Sequence, residues 1–213
     1  MDVKLFLKNL YILPYIGGIL VVVSIFFPAA TNFISRRDIN SFAFWIWGLL
    51  AEIDWYQLGQ GWMWLNEFYF IPDILILILG IAISIAVMYL GVKIVKRARF
   101  FGKNDKYLDK HFVKLAVVPL ILITVWVIVV QIYYSMTGHF LNYFLYVQDR
   151  FPLLDLDFLN LPNFSFWNYF NMNFGIIGIY IGASLPIIGY FIHIIEYKRF
   201  DYLFFEDETD IKN

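Results

Sequence analysis

The sequence predicts an all-α membrane fold, a four-transmembrane-helix bundle with a small, partly β extracellular cap. Three observations carry this expectation. Of the 213 residues, 61% are hydrophobic and 15% charged, at a mean hydropathy of +0.68. Soluble domains run at about half apolar and a quarter charged, so this excess calls for lipid as solvent. Uncharged stretches recur along the chain, each holding the ~20 apolar residues that cross a bilayer as a helix. Basic residues crowd into alternate connectors, as the positive-inside rule requires of a multi-pass protein.

The elements follow in order. Between Lys8 and Arg36 no residue is charged, and the apolar run from Leu10 to Ala30 predicts the first span, about 10–30. Lys4 and Lys8 ahead of it suggest a secretory signal, but the run exceeds the roughly 7–15 residues of a signal core. It is read as a retained helix. Ile74 to Val92 is uncharged between Asp73 and Lys93, predicting a second span over about 72–95. Between Lys114 and Asp149 the only Asp, Glu, Lys, Arg or His is His139, and between Asp157 and Glu196 it is His193. The third and fourth spans are placed at about 113–136 and 173–196. The third, Leu115 to Val130, is rich in β-branched residues. A lone strand in lipid leaves its backbone unpaired, so helix is expected there too.

Orientation comes from lysine and arginine. The second connector carries Lys93, Lys96, Arg97, Arg99, Lys103, Lys106, Lys110 and Lys114, and the termini add Lys4, Lys8, Lys198, Arg199 and Lys212. The loops 31–71 and 137–172 hold only Arg36, Arg37 and Arg150, against seven carboxylates, Asp38, Glu52, Asp54, Glu67, Asp149, Asp155 and Asp157, with Asp73 at the outer start of the second span as the eighth on that side. The termini and the basic connector are therefore expected in the cytoplasm of a multi-pass cell-membrane protein, and both long loops outside. Loops of this length usually hold structure of their own. Ala43–Trp47 and Gly61–Leu65 are β-prone aromatic runs, and Leu154–Phe158 alternates apolar with acidic. A cap fed by both loops is one expectation. An interfacial helix over 42–56 is the other. The acidic tail Glu206–Asp210 is expected to fray.

Net charge of −1 speaks against nucleic acid as partner. With no cysteine there is no disulfide, thiolate metal site or cysteine nucleophile. Ionisable groups are nearly confined to the ends of spans. Asp73, after Pro72, suits a helix N-terminus. His193 and Glu196 share a helix face near the inner end of the last span, as a proton or metal handle or as interfacial groups. His111, His139 and His193 do not form the pairs a membrane cytochrome needs, and no cofactor or catalytic arrangement is recognised. Small residues mark helix-packing faces: Gly80 and Ser84 in the second span, and Gly175, Gly178, Gly182 and Gly189 in the fourth. Such spacing serves packing within the bundle or a homodimer seam. Trp45, Trp47, Trp55, Trp62 and Trp64, five of seven tryptophans, fall in the first loop. They form an interfacial belt or, with Gly48 and Leu49, an interaction surface. Asn163–Ser165 fits a glycosylation sequence. The basic connector attracts anionic headgroups.

Phe26-Phe-Pro28 closing the first span and Trp47-Gly-Leu-Leu50 in the first loop resemble the tetraspan group of claudins and peripheral myelin protein. That group carries a tryptophan, a Gly-Leu-Trp run and two cysteines. Here Trp47, Gly48 and Leu49 match, Leu50 stands at the last tryptophan, and neither cysteine is present. The resemblance implies a left-handed four-helix bundle topped by a small sheet, here without its disulfide. The glycine-rich segment Phe174–Ser184 also resembles uncharacterised archaeal four-span membrane proteins, a resemblance that brings no function. The function expected is that of a non-enzymatic tetraspan acting in lateral assembly, adhesion or membrane organisation, its partners being lipids, a second copy or another membrane protein. Two alternatives stand beside it. One is an accessory subunit of a larger membrane complex or transporter. The other is a lipid-acting enzyme or carrier, in which groups such as Tyr89, Thr124, Gln131 or Tyr180 would converge on a cavity.

Overall fold

In a computed structural model of the chain the described residues are 6–7, 9–32, 40–54, 64–70, 74–104, 108–137 and 166–210. They form helices α1 (Ile12–Ser24), α2 (Ile74–Lys103), α3 (Lys110–Thr137), a short α4 (Phe166–Tyr169) and α5 (Phe174–Asp210). Five strands accompany them: β1 (Ala30–Asn32), β2 (Asn40–Phe44), β3 (Leu49–Asp54), β4 (Trp64–Phe70) and β5 (Asn171–Met172). Three helices are long and apolar enough to cross a membrane, over Ile74–Lys103, Lys110–Tyr134 and Phe174–Tyr197, and α1 is a shorter apolar helix.

Why these helices require lipid is visible in what they leave uncovered. On α2 the buried positions 76, 80, 83, 87, 91, 94, 98 and 101 recur every three or four residues, one stripe of a helix. The opposite face is no less apolar: Ile74 is 71% and Ile78 62% exposed. A soluble helix places charge there. The same holds on α3, where Ile121, Val125, Ile128 and Ile132 face outward. Apolar side chains all round are stable only in hydrocarbon, so the protein is membrane-embedded. Pro119 in α3 and Pro186 in α5 lie inside their helices without ending them.

The first helix stops early. The apolar run predicts a span to residue 30, yet α1 ends at Ser24. Phe27 N–H bonds the Ser24 carbonyl in a final turn, Pro28 follows, and Ala29 N–H donates to the Phe44 carbonyl at 2.7 Å. Residues 29–32 thus leave the helix to pair as a strand. At the other end α5 runs on to Asp210 as helix, where fraying is expected from composition.

The sheet is antiparallel, in the order β4-β3-β2-β1-β5. The expectation of strands in the first loop therefore holds against the interfacial helix over 42–56: Phe42 pairs with Glu52, and Phe44 with Leu50. Between β3 and β4 the register shifts at Glu52/Ile53, leaving Asn66 as the extra residue of a bulge. The second long loop contributes through β5, where Thr31 pairs with Asn171. Leu154–Phe158, Asn163–Ser165, Asp73 and His139 lie outside the described residues.

The chain divides into two compact units. The first comprises Met1–Val23, Val87–Leu120 and Gly178–Asn213, and the second Ser24–Ala86 and Ile121–Ile177. The core of the first gathers Leu7, Leu10, Ile94, Ala98, Phe101, Leu108 and Phe112. The second unit holds the sheet.

Candidate functional site

The tryptophan-rich loop builds a hairpin whose tip is held by its own chain. Trp45 N–H donates to the Leu49 carbonyl at 2.8 Å, and Gly48 N–H to the Trp45 carbonyl at 3.0 Å. These bonds close the three-residue loop Ile46-Trp47-Gly48 between β2 and β3. Gly48 takes φ of 84°, the left-handed conformation that such a loop needs at its last residue and that a side chain resists. A Cβ there would also meet Leu77 Cδ1 at 2.6 Å, so the tip rests on α2. One turn along, Gly80 lies under the Ile46 carbonyl.

Both indoles of the tip point back to the end of α1. Trp45 Nε1–H donates to the Phe26 carbonyl at 3.0 Å, and Trp47 Nε1–H to the Ile25 carbonyl at 3.1 Å. A helix that unwinds into a strand leaves carbonyls without intrahelical partners. In a membrane protein each such group, unpaired, costs several kcal/mol. Trp45 and Trp47 are thus committed to the fold, with Trp45 buried against Ala43 and Ala51 and Trp47 and Leu49 packed partly buried beside it. Replacing both indoles with phenylalanine is expected to cost roughly 1–3 kcal/mol per carbonyl left buried. The thermal midpoint in mild detergent measures this; a change under about 1 °C would show that these bonds contribute nothing. Trp55 and Trp62 lie outside the described residues, and Trp64 opens β4.

Behind the hairpin stands an aromatic core that the sequence reading does not single out. Phe44 stacks on Trp126 of α3 at 5.6 Å and meets Phe166 edge-on at 5.6 Å. Phe166 stacks on Tyr134 at 5.6 Å and on Phe170 at 4.6 Å. The helix α4 is tied to α3 by Trp167, whose backbone N–H bonds Gln131 Oε1 and whose indole bonds the Val127 carbonyl, each at 3.1 Å. Asn173 then starts α5. Its Oδ1 accepts the Phe174 N–H, its backbone N–H reaches the Ala29 carbonyl, and Nδ2 lies 3.3 Å from Thr31 Oγ1. Gly175 follows against the backbone of Phe27, Pro28 and Ala29. Trp126 and Tyr134, eight residues apart on α3, are the signal in the sequence that could have pointed to this core.

The small residues of the helices are buried. In the first unit Gly182 meets Gly17 of α1: a Cβ on Gly182 would lie 2.7 Å from the Gly17 carbonyl oxygen and 2.9 Å from Val21 N. Backbone atoms cannot yield as side chains do, so the two helices approach as closely as they do only because both positions lack a side chain. Gly178 is buried one turn earlier on α5, and Ser84 is buried on α2.

Titratable groups are dispersed. His111 stands at the start of α3 with Nδ1 3.6 Å from Asp109 Oδ2. His193 stacks on Tyr197 at 5.9 Å. Among the described residues no three His, Asp or Glu side chains gather as a metal site would require. Of the groups expected around a lipid-processing cavity, Tyr89 is exposed beneath the Lys93 ammonium, Gln131 is bound to Trp167, and Tyr180 accepts the Ser184 hydroxyl through its carbonyl. Compared with known protein families, with curated proteins and with solved structures, the chain has no match.

Proposed function

We propose that the chain is a four-span, claudin-like tetraspan without enzymatic activity, whose sheet forms an outer cap that mediates lateral assembly or adhesion in the cell membrane. The observation that carries this reading is the sheet. It draws strands from segments 140 residues apart, around β1 and β5, and ends in the seven-residue edge strand β4. An edge strand offers its backbone groups to a further strand, and β4 has a neighbour on one side only among the described residues. The residues that carry the tetraspan resemblance, Trp47, Gly48 and Leu49, fall in the hairpin Trp45–Leu49, with Gly48 at the turn. Support for a fourth span comes from the backbone bonds Leu10 to Leu7, Leu13 to Leu10 and Tyr15 to Tyr11, which lead into α1. The 13 residues of α1 rise roughly 20 Å as helix, and the turns at Leu10 and Leu13 extend this apolar segment toward the ~30 Å hydrocarbon thickness.

The absence of native cysteine makes the test clean. In intact cells a membrane-impermeant maleimide is expected to label Glu67→Cys and to spare Lys103→Cys until the membrane is permeabilised. Labelling of both in intact cells sinks the topology. For assembly, Glu67→Cys in β4 is expected to give a disulfide-linked dimer, or a crosslink to one membrane partner, on oxidation in the membrane. A strictly monomeric, uncrosslinked product would rule out the edge as the contact.

A further inference from the structure

A second feature lies in the first unit, between the C-terminal end of α2 and the N-terminal end of α3. Lys93, Lys96 and Arg97 of α2 and Lys114 of α3 line one groove of about 1000 Å³. Their spacing places them on single faces: 93, 96 and 97 on one helix, then 111, 114 and 118 on the other. The groove is strongly cationic. Among the described residues its one carboxylate, Asp109, is taken by Arg97, and its Oδ1 accepts the His111 backbone N–H. Arg97 also lies against the rings of Phe101 and Phe112, at 5.4 and 5.7 Å. Lys96 and Lys114 are exposed and have no ion-pair partner among the described residues.

The same groove is apolar along one side. Phe100 is 51% and Val118 42% exposed, with Leu115 between them on the wall. A hydrated inorganic anion gains nothing from these three. An anion bearing alkyl chains satisfies both parts at once. The position along the helices agrees: the uncharged stretch of α2 ends at Val92 and that of α3 begins at Leu115. The lysines therefore stand at the border of the hydrocarbon, where lipid phosphates lie.

We propose that this groove is a binding site for an anionic phospholipid, Lys96 and Lys114 holding the phosphate while Phe100, Leu115 and Val118 flank the acyl chains. It needs only that the protein be membrane-embedded and is independent of the assembly role of the sheet. Native mass spectrometry of the full chain released from micelles doped with phosphatidylglycerol or phosphatidylcholine tests it. Phosphatidylglycerol is expected to remain bound at least tenfold more tightly than phosphatidylcholine. Each lysine removed is expected to weaken binding about fivefold, so Lys96→Gln/Lys114→Gln loses roughly 25-fold. Lys96→Arg/Lys114→Arg retains the lipid. Lys103→Gln/Lys110→Gln, which removes the same charge outside the groove, stays within about threefold of wild type. Equal retention of the two lipids overturns the proposal without any variant being needed. So does an equal loss in the Lys103/Lys110 pair, which means diffuse surface charge. Displacement of the lipid by millimolar inorganic phosphate overturns it in favour of a soluble-anion site.

Discussion

Phe166→Ala is expected to cost about 3–5 kcal/mol, the largest effect of any single truncation in the second unit. Phe166 is fully buried and touches Phe44 of the sheet, Tyr134 of α3, and Trp167 and Phe170 of its own segment. Its loss removes the apolar surface, leaves a cavity, and breaks offset and edge-on ring contacts that add to simple burial. The ring also joins the short α4 to β2, and adds to the Trp167 bonds that tie α4 to α3. The sheet should therefore loosen together with the thermal midpoint. The comparison is Ile181→Ala, an exposed position on α5, which should change stability by less than about 0.5 kcal/mol. Unfolding in mild detergent, followed through tryptophan emission, checks both. If the two variants unfold at the same temperature, the aromatic core is not what holds this unit.

Gly182→Leu is expected to destabilise by about 3 kcal/mol or more through overpacking. The new side chain would begin 2.7 Å from the Gly17 oxygen, 2.9 Å from Val21 N and 3.0 Å from Leu20 Cβ. Two of those atoms are backbone, so relief requires α1 and α5 to move apart, and separation forfeits the contacts along their crossing. Gly189→Ala on the same helix meets only Leu108 and Leu13 side-chain atoms, at 3.3–3.4 Å, and is expected to be tolerated within about 1 kcal/mol. Size-exclusion profiles and thermal midpoints of the two variants separate the outcomes. A Gly182→Leu protein as stable as wild type would show that the crossing is slack. A Gly182→Leu protein with a lowered thermal midpoint but an unchanged oligomeric state would show that the glycines serve the fold of one chain rather than a seam between two.

Hydropathy and charge read directly onto α2, α3 and α5, because length, apolarity and basic flanks are local properties that lipid alone converts into helix. The β-branched run Leu115–Val130 is the sharpest case: its propensity is for strand, and it is helix. The end of α1 was not legible, since Ile25–Ala30 is as apolar as what precedes it. Hydrophobicity does not distinguish a helix from a strand in such a run. What ended the helix was a partner: the Phe44 carbonyl accepts the Ala29 N–H, and the indole N–H groups of Trp45 and Trp47 donate to the carbonyls of Phe26 and Ile25. The tryptophans were visible as a cluster, but their bonds are 19 and 22 residues away along the chain.

Composition and spacing thus established the membrane as the medium, the three long helices and the basic connector between α2 and α3, and left strands and an interfacial helix as the two expectations for the first loop, between which the pairing of β2 with β3 decides. Only tertiary contacts decided where the first helix stops, which distant segment completes the sheet, and which aromatics are core. The physical reason is that burial in lipid acts on each segment alone, whereas a strand, a cap or a ring stack needs a second segment whose identity no local pattern carries.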